Sequence, residues 1–301
     1  MLYILKNDQL SVTISSRGAE TVSIKCAGDC EYIWQGDEKY WTGQAPLLFP
    51  ICGRLFGGKY TYLGKEYSMI HHGFARRSEF EAVSVSDTCA VLRLRANEET
   101  LAEYPFNFEF TVTYTLNGAR LDCKHEIKNT GKDILPAVFG AHPGFNVPLC
   151  GESDFSDWYL EFGEECSPDE LVFSETCFNT GYKKALPLVN GKILPLRHSL
   201  FDIDGVFMSR MASSVTLKSD KCDRYVRLEY ADMPYLGIWH APKSDAPYVC
   251  IEPWCGLPAF DGKVDDMATK SDMFRIPSGS SKMLRNIVSI VHIKILVSIA
   301  H

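Results

Sequence analysis

Apolar and polar residues alternate with a period of two along much of the chain, the rhythm of half-buried strands. Leu10, Val12 and Ile14, then Val22 and Ile24, then residues 32–34 follow it, with Gly18, Gly28 and Gly36 as breaks. The clearest case is 106–116, where Phe106, Phe108, Phe110, Val112, Tyr114 and Leu116 share one face and Asn107, Glu109, Thr111, Thr113 and Thr115 the other. A one-residue slip would expose the whole aromatic row, so the register is fixed. Asn117-Gly118 suits a hairpin turn into Leu121, Cys123, His125 and Ile127. Residues 60–67 read as a second hairpin, and strands return at 215–217, 225–230, 236–240 and 248–252. Between them, 149–196 is irregular and rich in loop formers, and 97–103 is the best short helix. With no alternation of strands and helices, the pattern predicts an all-β fold, a large antiparallel β-sandwich.

Neither linker nor repeat interrupts the 301 residues, so 1–293 reads as a single domain and 294–301 as a tail outside the fold. The apolar run 287–300 is interrupted by Ser289, His292, Lys294 and Ser298 and is shorter than the roughly 20 residues that cross a bilayer. It reads as a last strand. Thirty-one basic against 38 acidic residues give a net charge of −7 with the basic residues scattered. That argues against nucleic acid and anionic membrane and for a small-molecule partner. Residues 1–10 hold one Lys and too short an apolar stretch for a secretory leader. Eleven cysteines without paired CxxC spacing read as reduced thiols of a cytoplasmic protein, monomer or homodimer.

Chemistry is concentrated in a few polar clusters. His142 stands in Gly140-Ala141-His142-Pro143-Gly144-Phe145-Asn146, where glycines admit close approach and Phe145 offers a flat apolar face of the kind sugars rest on. His71-His72-Gly73-Phe74-Ala75-Arg76-Arg77 puts two imidazoles and two guanidiniums within seven residues, which is hard to bury as plain core. Strand alternation there would admit only one histidine to a site, the motif favours His72, and Arg77 reads as solvated. A loop broken by Pro46 and Pro50 carries Arg54. Glu252, at a strand end before Pro253-Trp254, is either an edge acid or a carboxylate whose pKa burial raises, which would make it a stronger base. Asp204 precedes Gly205 in a pairing common in turns. No His, Cys and carboxylate run has metal-ligand spacing, Cys250 and Cys255 alone do not make a site, and phosphate loops and nucleophile elbows are missing. The expectation is therefore no metal and no cofactor.

In this order, Gly53-Arg54, His72-Gly73-Phe74-Ala75-Arg76, Ala141-His142-Pro143-Gly144-Phe145-Asn146, Leu200-Phe201-Asp202-Ile203-Asp204 and Ile251-Glu252-Pro253-Trp254 resemble the aldose 1-epimerase (galactose mutarotase-like) family over nearly the whole chain. The setting of His142 departs from the Asn-His-x-Tyr-Phe-Asn of the galactose branch and looks like a divergent one. The resemblance implies a supersandwich with a sugar in an open cleft on one sheet. It implies His142 as general acid, Glu252 as general base, Arg54 and His72 as groups that hold and polarise the sugar, and Asp204 as a hydroxyl-binding acid. Arg76 matches a position that could hold phosphate in branches acting on hexose 6-phosphates. The implied activity is interconversion of hexose anomers without a cofactor, with a hexose-6-phosphate mutarotase or a non-catalytic carbohydrate-binding protein as alternatives. A glycoside hydrolase using Glu252 and Asp204 would leave the histidines unexplained.

Overall fold

The aromatic row folds as its alternation demands. Phe108–Asn117 is a strand whose Phe108, Phe110, Val112, Tyr114 and Leu116 are buried. Gly118, at φ +55°, turns it into Arg120–Asn129 with Asn117 opposite Arg120. The computed structural model describes residues 1–26 and 30–292; the tail assigned to 294–301 lies outside them.

Around this hairpin grows a nine-stranded antiparallel sheet, in the order Ile193–Pro195, Trp158–Phe162, Ser214–Ser219, Cys222–Glu229, Ser281–His292, Arg120–Asn129, Phe108–Asn117, Cys89–Arg95, Glu81–Val85. A second, eight-stranded antiparallel sheet runs Asn179–Ala185, Asp169–Phe173, Val206–Ser209, Tyr235–Trp239, Tyr248–Trp254, Gly140–Ala141, Leu47–Leu48, with Gly144–Asn146 also paired to Tyr248–Trp254. Phe49 and Phe139, beside strands of the second sheet, meet the first sheet's row: Phe49 packs on Phe110 at 4.9 Å and Phe108 at 5.0 Å between ring centroids, and Phe139 on Phe110 at 5.9 Å. Buried side chains from both sheets thus form one core, the arrangement of a β-sandwich.

The short helix Glu98–Glu103 starts where expected. The Thr100 N–H donates to Asn97 Oδ1 and the Asn97 N–H to Thr100 Oγ1, each at 2.9 Å, a reciprocal cap. Among the described residues no helix is long and apolar enough to cross a membrane. One expectation is corrected at the thiols: Cys150 and Cys222, 6.2 Å apart at Cα, are joined as a disulfide between the loop after Leu149 and the strand Cys222–Glu229.

Candidate active site

Strand register brings His142 to Glu252. Tyr248–Trp254 pairs Trp254 with Gly140 and Cys250 with Gly144, so the residue midway on one side, Glu252, faces the residue midway on the other, His142. Between the two pairings the short strands Gly140–Ala141 and Gly144–Asn146 part around His142-Pro143. The His142 N–H donates to the Pro46 carbonyl at 3.1 Å, the Gly144 N–H to the Gln44 carbonyl at 2.8 Å and the Ile251 N–H to the Pro143 carbonyl at 3.1 Å. The backbone is held on both flanks, and His142 Nε2 lies 3.2 Å from Glu252 Oε2.

Glu252 is not an edge acid. Its strand continues through Pro253 to Trp254, and the carboxylate is buried in the second sheet opposite Gly237. A Cβ at Gly237 would come within 2.7 Å of the Phe207 ring, so glycine is what allows that ring to close over the strand beside Glu252. Burial, then the nearby Asp204 carboxylate, pushes the Glu252 carboxyl well above its usual range; the Trp254 indole works the other way without reaching hydrogen-bond geometry. Burial lowers His142 to about 3. Desolvation thus favours both neutral forms, a protonated Glu252 beside a neutral His142. Moving that proton across the gap produces carboxylate and imidazolium without changing the net charge.

The other site residues arrive on three segments and line the same cavity of about 270 Å³, near the lower end of the ~300–1,000 Å³ usual for ligand sites. His72 and Gly73 both have positive φ, +65° and +71°, so this segment is a turn. Alternation does not apply, and His71 reaches the cavity as well, its ring stacked on His72 at 3.6 Å between centroids. The Gly53 N–H donates to His72 Nδ1 at 3.0 Å, which leaves the Nε2 of the neutral ring as the donor. Burial, then His71 and His142, holds the His72 imidazole well below its ordinary pKa. Strain of this kind concentrates at functional sites. At Gly73 an added Cβ would lie 2.2 Å from the Phe49 carbonyl oxygen. Gly73→Ala is expected to destabilise the fold by about 2–4 kcal/mol, measured by chemical denaturation; unchanged stability would refute the close approach.

Arg54 and Arg76 reach the cavity without a hydrogen bond or ion pair to a carboxylate among the described residues. Asp204 accepts a hydrogen bond from the Trp239 indole N–H at 3.0 Å. Trp41 and Trp239 flank His142, with ring centroids 5.0 Å and 5.7 Å away.

All six residues singled out from sequence, Arg54, His72, Arg76, His142, Asp204 and Glu252, therefore share one cavity. Phe145 is corrected: it is fully buried in the core, and indoles provide the flat walls instead. Arg77 pairs with Glu103 outside the cavity. His71, Trp41 and Trp239 were missed. For Trp239 a signal existed: it lies on the next strand, two residues from the position facing Glu252 and hence on the same face. Ligand atoms of His142, Cys250 and Glu252 lie within 4.8 Å of one another, a proximity that the spacing of these residues in the sequence does not show.

The fold and the cavity on its second sheet define a galactose mutarotase-like β-sandwich protein. The chain belongs to the aldose 1-epimerase family, whose sequence profile, Aldose 1-epimerase, matches residues 1–260. It is 37% identical over 262 residues to protein LacX (plasmid) of Lactococcus lactis subsp. lactis, covering 84% of this chain and 87% of that protein. Among solved structures it is similar to a galactose mutarotase related enzyme from Lactobacillus acidophilus, with TM-score 0.92 and 31% identity over 98% of this chain and all (100%) of the other. A galactose mutarotase-like protein from Lactobacillus casei gives TM-score 0.90 and 31% identity over 96% and 100%.

Proposed function

We propose that this protein is an aldose 1-epimerase that interconverts the α and β anomers of a hexose by acid/base ring opening. The observation that carries the reading is the buried His142–Glu252 contact of 3.2 Å on the cavity wall. A cyclic hemiacetal opens when one group removes the proton of the anomeric hydroxyl and another protonates the ring oxygen. Once the Glu252 proton has moved to His142, Glu252 takes the hydroxyl proton as base and the imidazolium gives its own to the ring oxygen as acid. Rotation about the C1–C2 bond and reclosure with both transfers reversed yields the other anomer and restores the pair. Electrons stay within the sugar, and no redox partner is consumed.

The surrounding groups fit roles in this step. The His72 Nε2–H and the Arg54 guanidinium are donors to oxygens that gain negative charge, and Asp204 accepts from sugar hydroxyls. Trp41 and Trp239 offer flat faces to the C–H side of a ring. A second reading, a hexose 6-phosphate as substrate, is favoured by two cavity guanidiniums, Arg54 and Arg76, neither of which makes a hydrogen bond or close ion pair to a carboxylate among the described residues.

Anomer exchange by NMR on freshly dissolved α-D-glucose, α-D-galactose and glucose 6-phosphate tests both. Exchange faster than in buffer on a free hexose supports the first reading, and a marked preference for the phosphorylated sugar supports the second. Folded protein that accelerates none of the three would overturn both and leave a binding protein.

A further inference from the structure

Cys250 is a fully buried thiol that the proposed chemistry does not use. It stands two residues before Glu252 on Tyr248–Trp254 and so projects from the same face of the strand. His142 reaches over that face from across the register. A His142 nitrogen, the Cys250 sulfur and a Glu252 oxygen consequently come within 4.8 Å of one another.

Imidazole nitrogen, thiolate sulfur and carboxylate oxygen are donors that zinc takes, and three protein ligands with a fourth position left open is the arrangement of reactive zinc centres. Bonds of about 2.0–2.3 Å around a tetrahedral ion place donor atoms roughly 3.3–3.7 Å apart. The His142–Glu252 distance, 3.2 Å, is already close to that, and the sulfur, within 4.8 Å of both, has at most about 1 Å to close. His142 and Glu252 line the cavity, so the fourth position opens onto it. An independent observation points the same way: neither Glu252 oxygen has a hydrogen-bond partner among the described residues, although the residue is only 1% exposed. A buried carboxyl without partners is costly, and a cation that displaces its proton satisfies it. Thiolate and carboxylate would neutralise a dication, their two protons leaving to solvent, so the nearby Arg54 and Arg76 face no added net charge.

We infer that His142, Cys250 and Glu252 form a binding site for a zinc-class divalent cation whose occupancy ties up the acid and the base and stops anomer exchange. The inhibition rests on the function proposed above; the binding does not. Sequence spacing hides the site because His142 is remote in the chain from the other two ligands.

The experiment uses the full chain, reduced and freed of metal, titrated with Co²⁺ and then with Zn²⁺. One equivalent of Co²⁺ is expected to give a near-ultraviolet thiolate-to-cobalt charge-transfer band, which Zn²⁺ then abolishes. Cys250→Ala is expected to lose the band and to bind Zn²⁺ at least about ten-fold more weakly, since even residues behind metal ligands cost that much. Glu252→Gln should show the same weakening and carries the test if Cys250→Ala misfolds. Zinc should stop exchange by the wild type, a chelator should restore it, and Cys250→Ala should exchange at the metal-free rate in zinc. A band that persists in Cys250→Ala, or no band in the wild type, overturns the site. Metal binding as described in a protein without exchange activity would retain the site and refute the mutarotase reading instead.

Discussion

Glu252→Gln is expected to slow enzyme-catalysed anomer exchange by ~10²–10⁴, the range a positioned acid or base supplies, while leaving the fold intact. The two halves of this result have one cause. Burial and Asp204 already favour the protonated carboxyl, and glutamine is its neutral isostere, so the native packing keeps the shape and charge it has. What glutamine lacks is the exchangeable proton and the carboxylate that forms when this proton moves to His142 at 3.2 Å. The effect should therefore fall on kcat, with KM changed far less. Wild type and variant compared by NMR exchange, with the rate in buffer subtracted, decide the matter, and a thermal melt confirms equal stability. A variant retaining most of its kcat would refute the base role. A variant that lost stability together with activity would refute the neutral-pair account.

The pieces of this site were legible to different degrees. The strand 106–116 was readable because its aromatic alternation is a local property, and the hairpin at Gly118 because asparagine-glycine has a conformational preference of its own. Arg54, His72, Arg76, His142, Asp204 and Glu252 could be picked as polar groups in settings that resemble a family. Their convergence on one cavity came only through that resemblance, because physically it is set by long-range pairing such as Trp254 with Gly140 and Cys250 with Gly144. Two readings failed where a local rule was carried past its conditions. Alternation was applied to His71-His72, where positive φ at His72 and Gly73 makes a turn and brings both rings to the cavity. Phe145 was offered to the sugar on its chemistry, but pairing with Val249 turns it into the core. The Cys150–Cys222 bond went unseen because no spacing rule links cysteines so far apart in the chain.

Acidification from pH 6.5 to 5 is expected to remove several kcal/mol of folding stability, because four histidines are buried in forms that resist protonation. His72, His125, His142 and His240 are each less than 9% exposed. Burial is the first cause of every shift: His125 and His240 fall to about 4, His142 to about 3, and His72 well below its ordinary value. A depressed pKa means that the unfolded chain binds protons the native state refuses. Stability is therefore full above about pH 6.5 and lost as pH falls toward the native values, at about 1.4 kcal/mol per unit for each histidine. Two carboxyls act in the opposite sense. Burial raises Glu252 and Glu20, so their contribution is full below about pH 4.5 and lost as pH rises through the native values. Over this interval they offset at most about two of the four histidines, leaving a net loss of about 3–7 kcal/mol, a large part of the 5–15 kcal/mol typical of a folded domain. His125 isolates the effect, since it stacks on Phe139, bonds Asn286 at 2.8 Å and lies outside the site. Unfolding free energies from denaturation should be level from pH 7.5 to 6.5, then fall toward pH 5 steeply for the wild type and less steeply for His125→Gln, by about 1.4 kcal/mol per pH unit, with anomer exchange at pH 7.5 unaltered. Equal slopes for the two proteins would show that His125 takes up its proton in the native state, and a wild-type midpoint independent of pH would refute the account for all four.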